Sequence, residues 1–231
     1  MKNDSKKYIL AIETTGKISG ISISCDNKVL YESNLDTGLT HSVTLFSNIK
    51  KAIDSCNIDC NSIDTIKVSC GPGSFTGIRI GVAAALGLSA TNNCKVEYVD
   101  TLDSLAYNTI GKNDYILSMI DAKVNRVYIS MYEALSLKKI STDQIIDIES
   151  LISLLNTNFD NSKICFSLIG DGAMNYKNIL SKGLKVNYTI YDKISNLKAS
   201  SLFYINGIQS KQPIINYMLA SKAERDKYDK N

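Results

Sequence analysis

The chain has 231 residues, 44% of them hydrophobic, enough to bury a sizeable core in one large unit or two small ones. Its 26 Lys and Arg against 23 Asp and Glu leave a net charge of only +3, far from the dense basic stripe of a protein that grips phosphate backbones unaided. Six scattered cysteines and a start (Met-Lys-Asn-Asp-Ser-Lys-Lys) with no apolar run behind it point to reduced thiols in the cytoplasm, and the longest apolar stretch, Ile80 to Ala90, falls well short of the roughly 20 residues of a spanning helix.

The first half opens with a strand from Tyr8 to Ile12, a turn at Thr14-Thr15-Gly16 and a strand from Ile18 to Cys25. A two-residue Asp26-Asn27 turn leads into a third strand, Lys28 to Leu35, so the opening is an antiparallel meander. From Ser42 to Cys56 the apolar residues Val43, Leu45, Phe46, Ile49, Ala52, Ile53 and Cys56 recur at three- and four-residue spacings, with Lys50, Lys51 and Asp54 opposite, which predicts an amphipathic helix. A strand (Thr65 to Cys70), a glycine loop, a helix (Ser74 to Ala90), a strand (Val96 to Val99) and a short helix from Thr101 follow. Cys56 and Cys60 are placed on one helix face, but no second Cys or His cluster completes a tetrahedral zinc site.

An internal repeat organises the rest. Tyr8-Ile-Leu-Ala-Ile-Glu13 followed by Ile21-Ser-Ile-Ser is echoed by Tyr115-Ile-Leu-Ser-Met-Ile-Asp121 followed by Val127-Tyr-Ile-Ser, so each half opens with a strand, an acidic end, a turn and a returning strand. The turn-rich Asn108 to Asp114 marks a boundary between an N-terminal domain (1–108) and a smaller related one (109–231). The second half is read as strands at Tyr115 to Ile120, Arg126 to Tyr132, Lys138 to Ile146 and Ile164 to Ile169, with helices at Ile148 to Leu155 and Ala199 to Ile208; the tail Ala223 to Asn231 is read as a solvated end. Mixed sheets opened by meanders and flanked by helices define an α/β fold of the actin-like, RNase H-like kind, which clamps ATP phosphates between two hairpins.

The residues that chemistry would use are incomplete. The turn after Glu13 has two hydroxyls and a glycine, but the turn after Asp121 (Ala-Lys-Val-Asn) has no glycine to let a phosphate near the backbone. The lone histidine, His41, excludes a two-histidine metal site and is read as a residue at a helix start rather than a general base. Gly71-Pro-Gly-Ser-Phe-Thr-Gly-Ile-Arg-Ile-Gly81 sits where a phosphate loop would, yet lacks the Gly-Lys-Ser/Thr of a Walker loop and puts Thr76 where a dinucleotide fingerprint needs its third glycine, although Asp100 lies at a suitable distance. No cofactor or metal is expected, and a small ATP-dependent phosphotransferase of the same fold is the alternative. The helix from Ile78 to Ala90 is apolar nearly all round, with Gly77, Gly81 and Ala85 recurring every four positions, which would admit a neighbouring helix or chain.

Ile9-Leu-Ala-Ile-Glu-Thr-Thr, the Gly71 to Gly81 run, Asp100-Thr-Leu-Asp-Ser-Leu-Ala, Asp121-Ala-Lys before Val127-Tyr, and Tyr217-Met-Leu-Ala-Ser-Lys-Ala-Glu-Arg together resemble the TsaB family. The resemblance is dense over residues 8 to 132 and thin from 133 to 212. It implies a non-catalytic scaffold that pairs with the paralogue TsaD, and with the ATPase TsaE, to form threonylcarbamoyladenosine beside the anticodon of tRNAs reading codons that start with A. It further implies a homodimer when the chain is alone, tRNA contact only through the complex, and an interface on the two N-terminal helices. Carried over by position, that interface is His41, Leu45, Ile49 and Ala52 on the first helix, and Ser74, Phe75, Thr76, Gly77, Arg79, Gly81 and Ala85 on the second; a large charged residue at Gly81 or Ala85 is expected to break the pairing. Glu13 stands where the family often has Asp and Lys123 where it often has Arg, changes that suit a scaffold better than a catalyst. The older label of glycoprotease finds no nucleophile, base or metal ligands here.

Overall fold

The computed structural model describes residues 6–36, 41–159, 163–192 and 197–218. Two sheets carry the fold. The first runs β1 (Tyr8–Glu13), β2 (Ile18–Cys25), β3 (Lys28–Asp36), α1 (His41–Cys56), β4 (Ile63–Ser69), α2 (Phe75–Asn92) and β5 (Lys95–Val99). After α3 (Thr101–Tyr107) the second runs β6 (Tyr115–Lys123), β7 (Arg126–Glu133), β8 (Gln144–Asp147), α4 (Ile148–Asn158), β9 (Cys165–Ile169), α5 (Asp171–Asn175), α6 (Lys177–Gly183) and β10 (Asn187–Tyr191).

The strand orders are β11-β5-β4-β1-β2-β3 and β10-β9-β6-β7-β8, where β11 is the short Ile208–Gln209. With β1 set on β6, β2 on β7, β3 on β8, β4 on β9 and β5 on β10, the two sheets have the same order, β11 being an added edge strand of the first. Their pairings match as well: antiparallel within each meander, parallel from β1 to β4 to β5 and from β6 to β9 to β10. The repeat seen in the sequence is therefore a repeat of topology. The Asp26-Asn27 turn forms as its composition demands, with both residues at positive φ (48° and 66°), the geometry that matches strand twist in a two-residue hairpin.

The layers alternate. On one face of the first sheet, α1 covers β2 and β3 while α2 covers β4 and β5, burying Leu10, Ile12, Ile21, Ile23, Ile66 and Val68 against Leu45, Ile49, Ile78, Val82 and Ala85. Between the sheets lies α3, whose Leu102, Leu105 and Ala106 pack on Ile116, Ile120, Tyr128 and Tyr132 of the second sheet. The outer face of that sheet is covered by α4, α5 and α6 through Ile148, Leu151, Leu155, Ala173 and Leu180.

Residues 108–114 lie between α3 and β6, and the chain from 197 to 218, expected in the second domain, returns to the first sheet. There a 3-10 turn (Ala199–Tyr204) packs Ala199 and Leu202 on Ala11 and Val99, and β11 adds to β5. The nearly buried Lys67 fixes this return, its Nζ donating to the Ile205 carbonyl at 2.8 Å and pairing with Glu97 at 3.2 Å. Ala199 to Ile208 is thus a 3-10 turn and a strand rather than one helix, because its apolar residues serve a sheet face already shaped by β1 and β5. Of Lys138 to Ile146 only Gln144 to Ile146 lies in the strand β8, preceded by a single bridge between Lys139 and Tyr132. Cys60 lies in a 3-10 turn after α1, so it does not share a helix with Cys56, and all six cysteines are free. Among the described residues no helix is long and apolar enough to cross a membrane. Ala223 to Asn231 lies outside the described residues.

Two glycines of α2 make opposite demands. A Cβ on Gly77 would lie 1.9 Å from the Thr14 carbonyl, whereas one on Gly87 would meet nothing within 4 Å. Gly77→Ala should therefore lose about 1–3 kcal/mol or more by overpacking, and Gly87→Ala should gain about 0.5–1 kcal/mol from helix propensity. Urea denaturation of both variants checks this, and equal effects would contradict the packing described.

Candidate functional site

β1 ends on Glu13, and Asp121 lies two residues before the end of β6. Both carboxylates are consumed by their own chain. Glu13 is fully buried. Its Oε1 accepts from the Thr15 N–H (2.7 Å) and the Thr15 hydroxyl (2.6 Å), and its Oε2 accepts from the Ser69 hydroxyl. The N–H and hydroxyl of Thr15 are thereby both engaged.

The glycine run closes on the same turn. Ser74 N–H donates to the Thr15 carbonyl at 2.7 Å, and the Thr14 hydroxyl donates to the Gly77 carbonyl at 2.7 Å. A Cβ on Gly73 would come within 2.6 Å of Thr15 O, and one on Gly81 within 2.3 Å of Thr14 Oγ1. The glycines of this run admit the protein's own turn rather than a ligand. The start of α2 is capped internally, Ser74 Oγ accepting from Gly77 N–H at 3.2 Å.

At the second turn, Asp121 accepts from Lys123 N–H (2.8 Å), Lys123 Nζ (2.6 Å), Asn175 Nδ2 (2.9 Å) and the Tyr176 hydroxyl (3.1 Å). Burial pushes its carboxyl up, but the bonds from Lys123 and Asn175 outweigh this and hold it below the usual range. Lys123, Val124 and Asn125 all have left-handed φ (66°, 53° and 56°), a strained choice for the β-branched Val124. Beside the first turn, Leu197 places its Cδ1 3.2 Å from where a Gly16 Cβ would be, and with Met218 it packs on the cluster of Leu102, Ile120 and Tyr128. Leu197 thus joins the first turn to the α3 layer in the interval between the sheets.

Beside that interval is a polar cluster. Asp100 caps α3, accepting from Leu102 N–H (2.8 Å), and its other oxygen accepts from Asn216 Nδ2 (3.1 Å). Asp103 accepts from the Tyr132 hydroxyl (2.6 Å) and pairs with Lys139 (2.8 Å), which also pairs with Asp143 (2.7 Å). Burial first, then the charges of Asp103 and Asp143, push Asp100 up to about 7 against the pull of Lys139 and Asn216. A groove of about 320 Å³ lies here, lined by Asp103, Tyr132, Lys139 and Tyr204 among others, but its cation is already held by two carboxylates. Burial pushes the Cys70 thiol up to about 12, with the Asp100 charge adding, so this cysteine is no nucleophile at neutral pH. Among the described residues no group of three or more His, Cys, Asp or Glu side chains is placed to hold a metal ion.

The residues expected at a partner interface divide into two sets. Leu45, Ile49, Ala52, Gly77, Gly81 and Ala85 are shut inside the first core, so they do not face outward. The four-residue period of Gly77, Gly81 and Ala85 is real, but it fits α2 onto Thr14, Ile12 and Val68 of its own sheet. A charged residue at Gly81 or Ala85 would damage that core itself. Ser74, Thr76 and Arg79 are exposed and Phe75 is half-buried. His41 opens α1, and its side chain lies outside the described residues.

The outward face is a different set. On α2, Thr76, Arg79, Ala83, Gly87 and Ala90 form one exposed stripe, and on α1 Val43 and Phe46 are 76% and 56% exposed. A helix apolar on all sides does not declare from sequence which small-residue stripe is buried; only docking on the sheet decides.

The fold is that of the actin-like ATPases: a Bacteroides thetaiotaomicron protein with actin-like ATPase fold superposes at TM-score 0.50, 12% identity, over 89% of this chain and 100% of its own. YeaZ from Pseudomonas aeruginosa superposes at TM-score 0.75, 18% identity, over 92% of this chain and 100% of that one, and another P. aeruginosa protein, described as similar to the peptidase YeaZ, at 0.77 with the same identity and coverage. Residues 36–225 match the family model described as TsaD: tRNA N6-adenosine threonylcarbamoyltransferase, and the chain belongs to this family. The Bacillus subtilis tRNA threonylcarbamoyladenosine biosynthesis protein TsaB is 30% identical over 54% of this chain and 55% of its own length, and the Escherichia coli TsaB 28% identical over 54% of each. The match spans about half the length of these curated relatives.

The Asp100 cluster predicts a pH dependence. A carboxyl raised from 3.8 to about 7 on folding means that the folded state holds the proton more tightly, so the stability this group lends is full at low pH and is lost as pH rises through that window, with a slope of up to about 1.4 kcal/mol per pH unit. Asp100→Asn keeps the cap and removes the titration. Urea melts from pH 4 to 8 should be flatter for the variant than for the parent; parallel curves would contradict the assignment.

Proposed function

We propose that the chain is a non-catalytic subunit in threonylcarbamoyladenosine formation on tRNA, and that it presents the outward face of α1 and α2 to a TsaD-like partner, with a TsaE-like ATPase joining the pair. Family membership and the names of the curated relatives support the pathway. The observation that carries the scaffold reading is the conflict between the two places where function would sit. The turns that would receive a phosphate are tied to Glu13, Asp121 and the start of α2, and Leu197 packs beside the first of them. The two helices meanwhile leave Val43, Phe46, Ala83 and Gly87 in solvent, apolar surface that a second chain would remove from water at about 25 cal/mol per Å².

Under this reading the net charge of +3 is adequate, because tRNA is held through the assembly rather than by this chain alone. In the absence of the partner, the same face closes on a second copy, giving a homodimer.

Phe46→Glu should abolish association with the TsaD-like chain in analytical ultracentrifugation while leaving the circular dichroism unchanged, since Phe46 is exposed in the free chain. Tight association of the variant sinks the assigned face. The reading of function is tested separately: a reconstituted mixture of TsaD-like and TsaE-like chains should modify tRNA only when this chain is added, and calorimetry of the chain alone with ATP should give no micromolar binding. ATP turnover by the isolated chain would establish the phosphotransferase alternative instead.

A further inference from the structure

The segment from Ile214 to Met218 crosses the start of α2. Ile214 and Ile215 pack on the first core, Asn216 N–H donates to the Cys70 carbonyl at 2.8 Å, and the Asn216 carbonyl lies 2.5 Å from where a Cβ on Gly71 would be. This path delivers Tyr217 to the outer surface. Its ring stacks on Phe75 with centroids 4.6 Å apart, and its hydroxyl accepts from Arg79 Nε at 2.7 Å. The Arg79 guanidinium also lies 3.8 Å above the Phe75 ring.

Arg79 is therefore an exposed cation whose long side chain is already immobilised between a ring face and a phenol. Fixing a free arginine on binding normally costs rotamer entropy; here that cost falls on folding. With Nε engaged, the terminal nitrogens keep their donors, and among the described residues no carboxylate pairs with them. Arg79 stands in the exposed stripe with Thr76, Ala83 and Gly87, whose small side chains permit close approach of another backbone.

We infer that Phe75, Tyr217 and Arg79 form a preset clamp that receives a carboxylate of the partner chain, fixing the register in which the partner helix lies along Ala83 and Gly87. This inference rests on the partner-face reading above and adds the chemistry of the contact. A carboxylate fits better than a nucleic-acid phosphate, because backbone binding draws on several cations in a row, whereas Arg79 is the only charged residue of α2. Tyr217 is a positioning residue: it holds Arg79 and need not touch the partner.

The test measures affinity of the full chain for the TsaD-like chain at low and high salt, for the parent, Phe46→Glu, Arg79→Gln and Tyr217→Phe. Arg79→Gln should weaken binding roughly ten- to hundred-fold and flatten its salt dependence, as loss of a charge-assisted contact would. Tyr217→Phe keeps the stack and the charge; it should bind more weakly than the parent but retain the salt dependence. Both should melt close to the parent, because Arg79 is exposed and the Tyr217 ring is retained. If Phe46→Glu abolishes binding while Arg79→Gln stays within twofold of the parent, the clamp is overturned and the face stands. If Phe46→Glu binds normally, the face itself is overturned. If Arg79→Gln weakens tRNA binding and leaves partner affinity unchanged, the clamp serves a phosphate and the inference fails.

Discussion

The Thr14-Thr15 turn seats directly in the backbone of the Gly73–Gly81 segment, with no side chain between. The Thr14 hydroxyl bonds the Gly77 carbonyl, Ser74 N–H bonds the Thr15 carbonyl, and the positions facing them have no Cβ. The seating depends on Glu13, whose buried carboxylate is satisfied by Thr15 and Ser69 instead of water. It sets the height of α2 over the sheet, and with it which stripe of α2 is buried. It also engages the Thr14 hydroxyl and the Thr15 N–H and hydroxyl, so the polar groups of the first turn serve the packing of the first half.

The duplication makes the point from the other half. Asp121, two residues before the end of β6, likewise turns its carboxylate back on its own half, to Lys123 of its hairpin and to Asn175 and Tyr176 at the junction of α5 and α6. Gly170, with φ of 114°, lets Leu105 and the Met119 carbonyl close in where a side chain would stand. Two copies of one supersecondary unit have each kept the acidic residue near the strand end and used it for internal bonding. Leu197 and Met218, which belong to the returning C-terminal stretch, pack on the layer that α3 forms with the second sheet.

That returning stretch does more than complete the first sheet. Lys67, Glu97 and the carbonyl of Ile205 hold its first part, and Asn216 ties its end to Asp100 and Cys70. Residues distant in sequence thereby gather around one end of α2: the glycine run from the first half, the α3 cap from the junction, and Tyr217 from the end of the described chain. The glycine run of the first half thus acquires its surface aromatic, Tyr217, from residues far along the chain.

Local pattern carried much of this. The meander, the two-residue Asp26-Asn27 turn, the amphipathic period of α1, the glycine run between β4 and α2 and the paired Tyr-Ile-Leu strand openings are all short-range signals, and each forms where the residues place it. What they leave open is anything decided by how finished elements meet. Residues 171–191 form α5, α6 and β10 without a strong period of their own, because β10 is specified by the parallel edge of β9. The face of α2 is the clearest case: two small-residue stripes, Gly77/Gly81/Ala85 and Ala83/Gly87/Ala90, satisfy the same helical period, and the sequence of the helix does not distinguish them. The Thr14 turn, pressed against Gly77 and Gly81, chooses which stripe is core and which meets solvent, since only a backbone without a Cβ can come that close. The amino-acid sequence thus determined the repeated architecture and its family, while the orientation of α2, and the clamp that Tyr217 builds on Arg79, were decided only when the chain folded back on itself.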